Sequence, residues 1–316
     1  MNAVFIHDFA YALGELSQTV EDAAAQGLTL SSGADLRAGG FEHHCRCGPD
    51  TSVYELAHRT VSAMKGRLGG TSAVIYATTL PMNGNLGSAG EYASSRDVKA
   101  LMDFPVSHLQ SDFDLDGAVA IGLNQQACTG LLGSIRVARG LLASEPTFEQ
   151  VLCVTADRFP EGAIYEQAYS LISDGASGFL VSREPRGYRV VACHHITNGA
   201  MVGASDDETV GSFFNYTHRL VREILAKAQI EIDAVDWIVP QNTNRKAWEI
   251  LARLLDVELE RVCFDSLPRV AHVIGGDNVV NLTELEASGR IRAGDRVLLV
   301  MAGYGMNWQA VMLEKV

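Results

Sequence analysis

No run of eighteen apolar residues occurs in the 316-residue chain, so no hydrophobic helix long enough to span a membrane is expected. The opening stretch, "MNAVFIHDFAYALGE", lacks the basic segment and apolar core of a secretory signal, and export is not expected. Basic residues are scarce: 25 Lys and Arg stand against 38 Asp and Glu, a net charge of −13. Such a chain lacks the positive footprint that general nucleic-acid binding requires. Six cysteines (Cys45, Cys47, Cys128, Cys153, Cys193, Cys263) are scattered without the spacing of a disulfide framework, which points to reduced thiols and a cytoplasmic setting. No low-complexity linker divides the sequence. What remains is a chain with 47% hydrophobic residues, long enough to bury a large α/β core.

The order of elements repeats. Residues 51–68 carry apolar residues at helical spacing and lead into a β-rich run at 72–80. Residues 209–230 repeat the helical pattern and lead into strand and loop at 236–244. Apolar runs at 178–182 and 308–316 read as the last strand of each half. This order predicts a duplicated α/β unit, an N-terminal half at 1–185 interlocked with a C-terminal half at 186–316. Residues 81–108, rich in Gly, Asn and Ser, read as the longest irregular segment and as a candidate cover for a site.

The most informative chemistry lies in "NQQACTGLLGSIRVARGLLASE", residues 124–145. Cys128 follows a strand-like run and immediately precedes a helical pattern (Leu131, Leu132, Ile135, Ala138). A thiol at a helix N-terminus feels the positive end of the macrodipole, which favours the thiolate. The alternative is a small buried hydrophobe, the usual fate of a cysteine.

"ACTGLLGSIRVARGLL" resembles the nucleophile segment of the ketoacyl synthase III branch of the thiolase superfamily. The likeness continues through "LISDGASGFLV" (171–181), "DWIVPQNTNRKAWEILARLL" (236–255) and "GRIRAGDRVLLVMAGYGMNW" (289–308). It implies an α/β fold of thiolase type, five layers in the order αβαβα, built from two pseudo-symmetric halves and assembled as a homodimer. The departures are informative. In the resembled family the cysteine is paired with a histidine in a Pro-His-Gln-Ala-Asn segment; here the segment reads "PQNTN", with Gln241 at the histidine position and Asn244 kept. Where the family has a second partner, an asparagine, the alignment places His272, and Asp277 follows five residues later in "HVIGGD". Relatives in antibiotic pathways that share this variation resemble acyltransferases and starter-unit loaders.

The chemistry of the exchanged groups agrees. Decarboxylative condensation mainly needs hydrogen-bond donors around an enolate oxygen. Transfer to an alcohol or amine needs a group that takes a proton, and imidazole suits that task near neutrality. A carboxylate on the other ring nitrogen fixes the tautomer and stabilises imidazolium. Gln241 cannot remove a proton but can donate an amide N–H. The candidate catalytic set is therefore Cys128, His272 and Asp277. The competing readings are a structural histidine in a glycine-flanked turn, and Asp277 as the N-cap of the run that follows it.

By resemblance, the thioester oxygen is held by the backbone N–H groups of Cys128 and Tyr304, the latter in the turn "AGYGMNW", where Gly303 and Gly305 permit close approach. Gln241 and Asn244 shape the polar side of the site. "EHHCRC" (42–47) supplies zinc-competent side chains, but adjacent residues rarely converge on one ion and no metal is expected. No permanently bound cofactor is expected; the acyl donor arrives on phosphopantetheine, from an acyl carrier protein or coenzyme A. Residues 31–40 lack an aromatic residue for stacking on adenine, which favours the carrier, and Arg245, Lys246 and Arg253 are candidates for docking it.

The expected activity is acyl transfer through a Cys128 thioester to an alcohol, amine or carrier thiol, in polyketide-type secondary metabolism. The alternatives are a decarboxylative condensing enzyme for starter units and a non-catalytic subunit of a thiolase-like heterodimer.

Overall fold

The computed structural model describes residues 3–168, 170–304 and 307–316. Nine strands form one mixed sheet: β1 (Phe5–Leu13), β2 (Thr71–Ala77), β3 (Val119–Leu123), β4 (Gln150–Asp157), β5 (Gly175–Ser182), β6 (Tyr188–Thr197), β7 (Trp237–Val239), β8 (Arg296–Gly303) and β9 (Asn307–Lys315). Their order is β7-β8-β9-β6-β1-β5-β4-β2-β3. The pairs β2–β3, β2–β4 and β7–β8 are parallel, and the others are antiparallel. Only Phe5↔Arg189 and Ile6↔Tyr188 join β1 to β6, so the ladder is thin where its two wings meet.

Six helices pack against these wings: α1 (Val53–Ser62), α2 (Pro105–Asp112), α3 (Gly130–Ser144), α4 (Asp206–Ala228), α5 (Arg245–Leu255) and α6 (Asp277–Ala287). The alternation of side chains along each strand sorts them into layers. Val74 and Leu180 face Leu56, Val61 and Leu109 of α1 and α2. Ile75 and Phe179 face the middle, where Ile135 of α3 and Leu282 of α6 lie, together with Leu299 and Val311 from the other wing. Leu298, Val300 and Met312 face Val221, Ile224, Trp248 and Leu251 of α4 and α5. The result is the five-layered αβαβα arrangement.

Local sequence explains the helix starts. Ser52 and Glu55 form a capping box at α1, Ser205 and Glu208 another at α4, and the Asn244 side chain accepts from the Ala247 N–H to cap α5. Residues 81–108 depart from the irregular segment expected. They hold short helical turns at Pro81–Gly84, Ala89–Ser95, Val98–Leu101 and Pro105–Asp112. Ser88 accepts from the Glu91 N–H, and Pro105 occupies a first turn where its missing N–H costs nothing. Nor do these residues line the cavity described below. Among the described residues no helix is long and apolar enough to cross a membrane.

The middle layer should dominate stability. Ile135 is fully buried between the two wings, so Ile135→Ala should cost about 3 kcal/mol, read from the urea midpoint, with the far-ultraviolet spectrum unchanged.

Candidate active site

Cys128 lies in a tight turn, Ala127–Thr129, that runs directly into α3. Ala127 adopts a positive φ of 46°, a strained conformation for a residue with a side chain. A buried polar cluster holds it there. Gln309 donates to Gln126 Oε1 at 2.8 Å and to Thr129 Oγ1 at 3.1 Å, and the Thr129 hydroxyl and N–H both return to the Gln126 carbonyl. Cys128 is the one cysteine of the six that is not buried. Burial pushes Cys47 and Cys153 up to about 12, Cys263 to about 11, and raises Cys45 as well, which keeps those thiols protonated.

His272 comes from a separate segment. Its backbone bridges to Ile172: the His272 N–H donates to the Leu171 carbonyl at 2.9 Å, and the His272 carbonyl accepts from the Ser173 N–H at 2.8 Å. Its ring is buried, and Nδ1–H donates to Asp277 Oδ2 at 2.5 Å. Asp277 is the first residue of α6, and Gly276 takes the cap position that the competing reading gave to Asp277. The carboxylate turns back instead, accepting from the Asn242 N–H at 2.7 Å and the Val273 N–H at 2.6 Å. Gly276 must be glycine, since a Cβ there would lie 2.5 Å from Ser177 Oγ. Ala271 and Ile274, on either side of the histidine, also have positive φ (52° and 47°).

Gln241 completes the polar side. Its Oε1 accepts from the Ala302 N–H at 3.0 Å and its backbone carbonyl accepts from Trp248 Nε1–H at 2.9 Å. With the oxygen so engaged, the amide nitrogen faces His272 Nε2 at 3.3 Å. Asn244 lines the cavity, but its side-chain oxygen is occupied in capping α5. Gly303 presses on the Cys128 turn: a Cβ there would lie 2.9 Å from the Gln126 carbonyl oxygen and 3.1 Å from the Cys128 nitrogen. Tyr304 follows at the cavity edge, and Gly305 lies outside the described residues. Arg245, Lys246 and Arg253 are exposed on α5, Lys246 at the cavity wall and Arg245 paired with Glu249 at 3.0 Å.

Cys128, His272, Gln241 and Asn244 share one cavity of about 990 Å³. His272 feels opposing forces. Burial disfavours its charged form, but the charge and hydrogen bond of Asp277, joined by those of the Cys128 thiol, outweigh burial and push it up to about 10. The protonated form of His272 is therefore favoured beside Cys128.

Several residues escape sequence reading. Asn242 donates from its side chain to Ser266 Oγ and the Ala271 carbonyl, both at 2.9 Å, and accepts from Asn281 at 2.8 Å. Asn278 donates to the Val239 carbonyl at 2.8 Å. The available signal was two asparagines inside the apolar run "NVVNL", polar groups on a face that must be buried. The "EHHCRC" stretch enters a short strand, His43–Arg46, where His44 Nδ1 meets the Ile172 carbonyl at 2.9 Å. Among the described residues no cluster of His, Cys, Asp or Glu is placed to hold a metal ion.

A pH dependence follows from the raised His272 value. The folded chain holds this proton more tightly than the unfolded chain, whose histidine has the ordinary value of 6.5. The stability contributed by the pair is complete below 6.5 and is lost as pH rises through about 10. Asp277→Asn should flatten that slope, read from urea midpoints of parent and variant across this window.

The chain is similar to known proteins in sequence and in fold. Residues 124–199 match the sequence profile of 3-oxoacyl-[acyl-carrier-protein] synthase III, and residues 225–315 match the profile of the C-terminal part of the same enzyme. The β-ketoacyl-[acyl-carrier-protein] synthase III 2 of Deinococcus radiodurans is 24% identical over 291 residues, covering 87% of this chain and 84% of its own. The structure of the acyltransferase ChlB3 superposes with a TM-score of 0.84 at 19% identity, over 99% of this chain and 98% of its own. That of 3-oxoacyl-[acyl-carrier-protein] synthase III from Aquifex aeolicus superposes with a TM-score of 0.78 at 17% identity, over 98% and 99%. Matched over residues 124–199 and 225–315, the chain belongs to the ketoacyl synthase III family of the thiolase superfamily.

Proposed function

We propose that this family member is an acyltransferase working through a Cys128 thioester, with His272 moving the proton in both half-reactions. The observation that carries this reading is the buried His272–Asp277 pair facing Cys128, with an amide, Gln241, in place of a second imidazole. The Cys128 thiolate attacks the donor carbonyl. As the C–S bond to pantetheine breaks, His272 Nε2 gives its proton to the departing thiolate. Acylation removes the Cys128 charge that helped hold that proton, and the Gln241 amide N–H then faces a neutral Nε2. The acceptor hydroxyl or amine next loses its proton to Nε2 as it attacks the acyl-enzyme, and the Cys128 thiolate departs. Backbone N–H groups of Cys128 and Tyr304 are the proposed donors to the tetrahedral oxyanion. No resident cofactor is required by these steps.

The proposed donor is a phosphopantetheine thioester, on an acyl carrier protein or coenzyme A. On α5, Lys246 and Arg253 flank two exposed apolar residues, Ile250 (43% exposed) and Leu254 (51% exposed), beside the cavity. A basic rim around an apolar patch suits an acidic carrier. The proposed assembly is a homodimer through β3, whose outer edge is unpaired among the described residues and whose Val119 is 47% exposed. Val119→Lys should then yield a folded monomer, read by light scattering beside the circular dichroism of the parent.

A second reading, decarboxylative condensation, is favoured by the Gln241 amide and protonated His272, which can together hold an enolate oxygen. One experiment separates the two. A saturated acyl thioester should leave its acyl mass on the protein and pass it to an alcohol or amine without any malonyl extender. Turnover only with malonyl thioester, releasing carbon dioxide, would establish condensation. Cys128→Ala should abolish the adduct, while removal of any other single cysteine should leave it. His272→Ala should slow acceptor-dependent turnover about 10²- to 10⁴-fold.

A further inference from the structure

We infer that Gln309 is a positioning residue for Cys128: its side-chain amide reaches across from the other wing and fixes the turn that aims the Cys128 thiol and N–H. This rests on the reading above only in taking Cys128 as the nucleophile. Gln309 is buried in β9, opposite His195 of β6 and Met301 of β8. Ala127 holds a positive φ that a residue with a side chain ordinarily avoids, and relaxation to a negative one would swing the Cys128 that follows. Both donors of Thr129, the N–H at 3.1 Å and the hydroxyl at 2.6 Å, close on the Gln126 carbonyl. They fix the dihedrals of the two residues between. Having given its proton to that carbonyl, the Thr129 oxygen accepts from Gln309 Nε2 at 3.1 Å. The other Nε2 hydrogen goes to Gln126 Oε1 at 2.8 Å. One amide nitrogen therefore holds both ends of the turn.

A glycine on the facing helix answers to this pair of amides. Gly133 sits inside α3, where glycine weakens a helix relative to alanine. A Cβ at 133 would collide with Gln126 Oε1 and lie 3.1 Å from Gln309 Nε2. Glycine there keeps open the space in which the two side chains meet. Neither Gln126 nor Gln309 lines the cavity, so their loss acts on the aim of the nucleophile and leaves the substrate's binding surface intact. The signature of the role is a fall in the rate of acylation without a matching fall in affinity.

Single-turnover acylation by hexanoyl-pantetheine, followed by intact mass across donor concentrations, gives the maximal rate and the half-saturating concentration separately. Gln309→Leu fills similar space without the N–H donors. It should lower the maximal rate about tenfold and keep half-saturation within about twofold of the parent. Gly133→Ala should do the same by displacing Gln126, although alanine favours the helix, and it carries the test if Gln309→Leu does not fold. Gln126→Glu keeps the accepting oxygen and should stay within about threefold of the parent rate. Alkylation of Cys128 by iodoacetamide repeats the comparison without any donor. A parental rate in Gln309→Leu or in Gly133→Ala, a loss confined to half-saturation, or a Gln126→Glu enzyme as slow as Gln309→Leu each overturns the inference. A parent that takes up no acyl group overturns the acyl-transfer reading instead. Slower alkylation in Gln309→Leu and Gly133→Ala would then uphold the positioning role, and unchanged alkylation would end it.

Discussion

The site depends on one buried contact, the hydrogen bond between His272 and Asp277 in the middle layer. A carboxylate fully removed from water is costly, and a single ring nitrogen does not offset that cost. Two backbone N–H groups, from Asn242 and Val273, and the N-terminus of α6 supply the rest. Satisfying Asp277 therefore ties together the 240–244 loop, the strained turn at 271–274 and the start of a central helix. The Asn242–Ser266–Asn281 network braces the same junction from behind. Loss of the carboxylate would release both a charge and the geometry of three segments.

The proposed nucleophile uses the same device. Cys128 stands at the entrance to α3 as Asp277 stands at the entrance to α6, and the turns before these helices are in contact. A Cβ on Gly275 would lie 3.5 Å from the Cys128 carbonyl oxygen. Two helix N-termini thus converge on one point, each favouring a negative charge. Positive φ at Ala127, Ala271 and Ile274 is concentrated at this meeting place. The strain is tolerated because surrounding hydrogen bonds over-determine the backbone, as the Gln126–Thr129–Gln309 cluster does for Cys128.

Much of this was legible in the sequence, for identifiable reasons. The helix after Cys128 has its own amphipathic pattern, and the strands are short apolar runs, so element type and order were local properties. His272 and Asp277 were readable because they sit five residues apart in one glycine-containing turn. Gln241 was harder. Its amide orientation is set by the N–H of Ala302, 61 residues further along the chain, and no local pattern encodes that. Asn242, Asn278 and Asn281 escaped as site residues because the acceptors of their side-chain amides lie 22 to 41 residues away along the chain. The competing reading of Asp277 as a cap fails because a turn with Gly276 at the cap position frees the carboxylate to face inward. Residues 81–108 misled because Gly, Asn and Ser mark helix caps as readily as loops.

The exchange of side chains at positions 241 and 272 acts on proton traffic while the scaffold stays constant. Main-chain N–H groups and helix ends provide the electrostatic frame, and they do not change when a side chain does. A histidine at 272 backed by a carboxylate gives the site one group that both donates and accepts a proton. An amide at 241, its oxygen held by Ala302, contributes a donor that never titrates. In the proposed cycle, with a single titrating partner, the charge on Cys128 is the switch. A thiolate there would help hold the His272 proton; once sulfur is acylated that contribution would disappear and the proton would leave with the donor thiol. Regeneration of the thiolate would then require a new proton on His272, with the acceptor as its source. In that proposal the order of the two half-reactions follows from which atoms carry charge, without any movement of the fold.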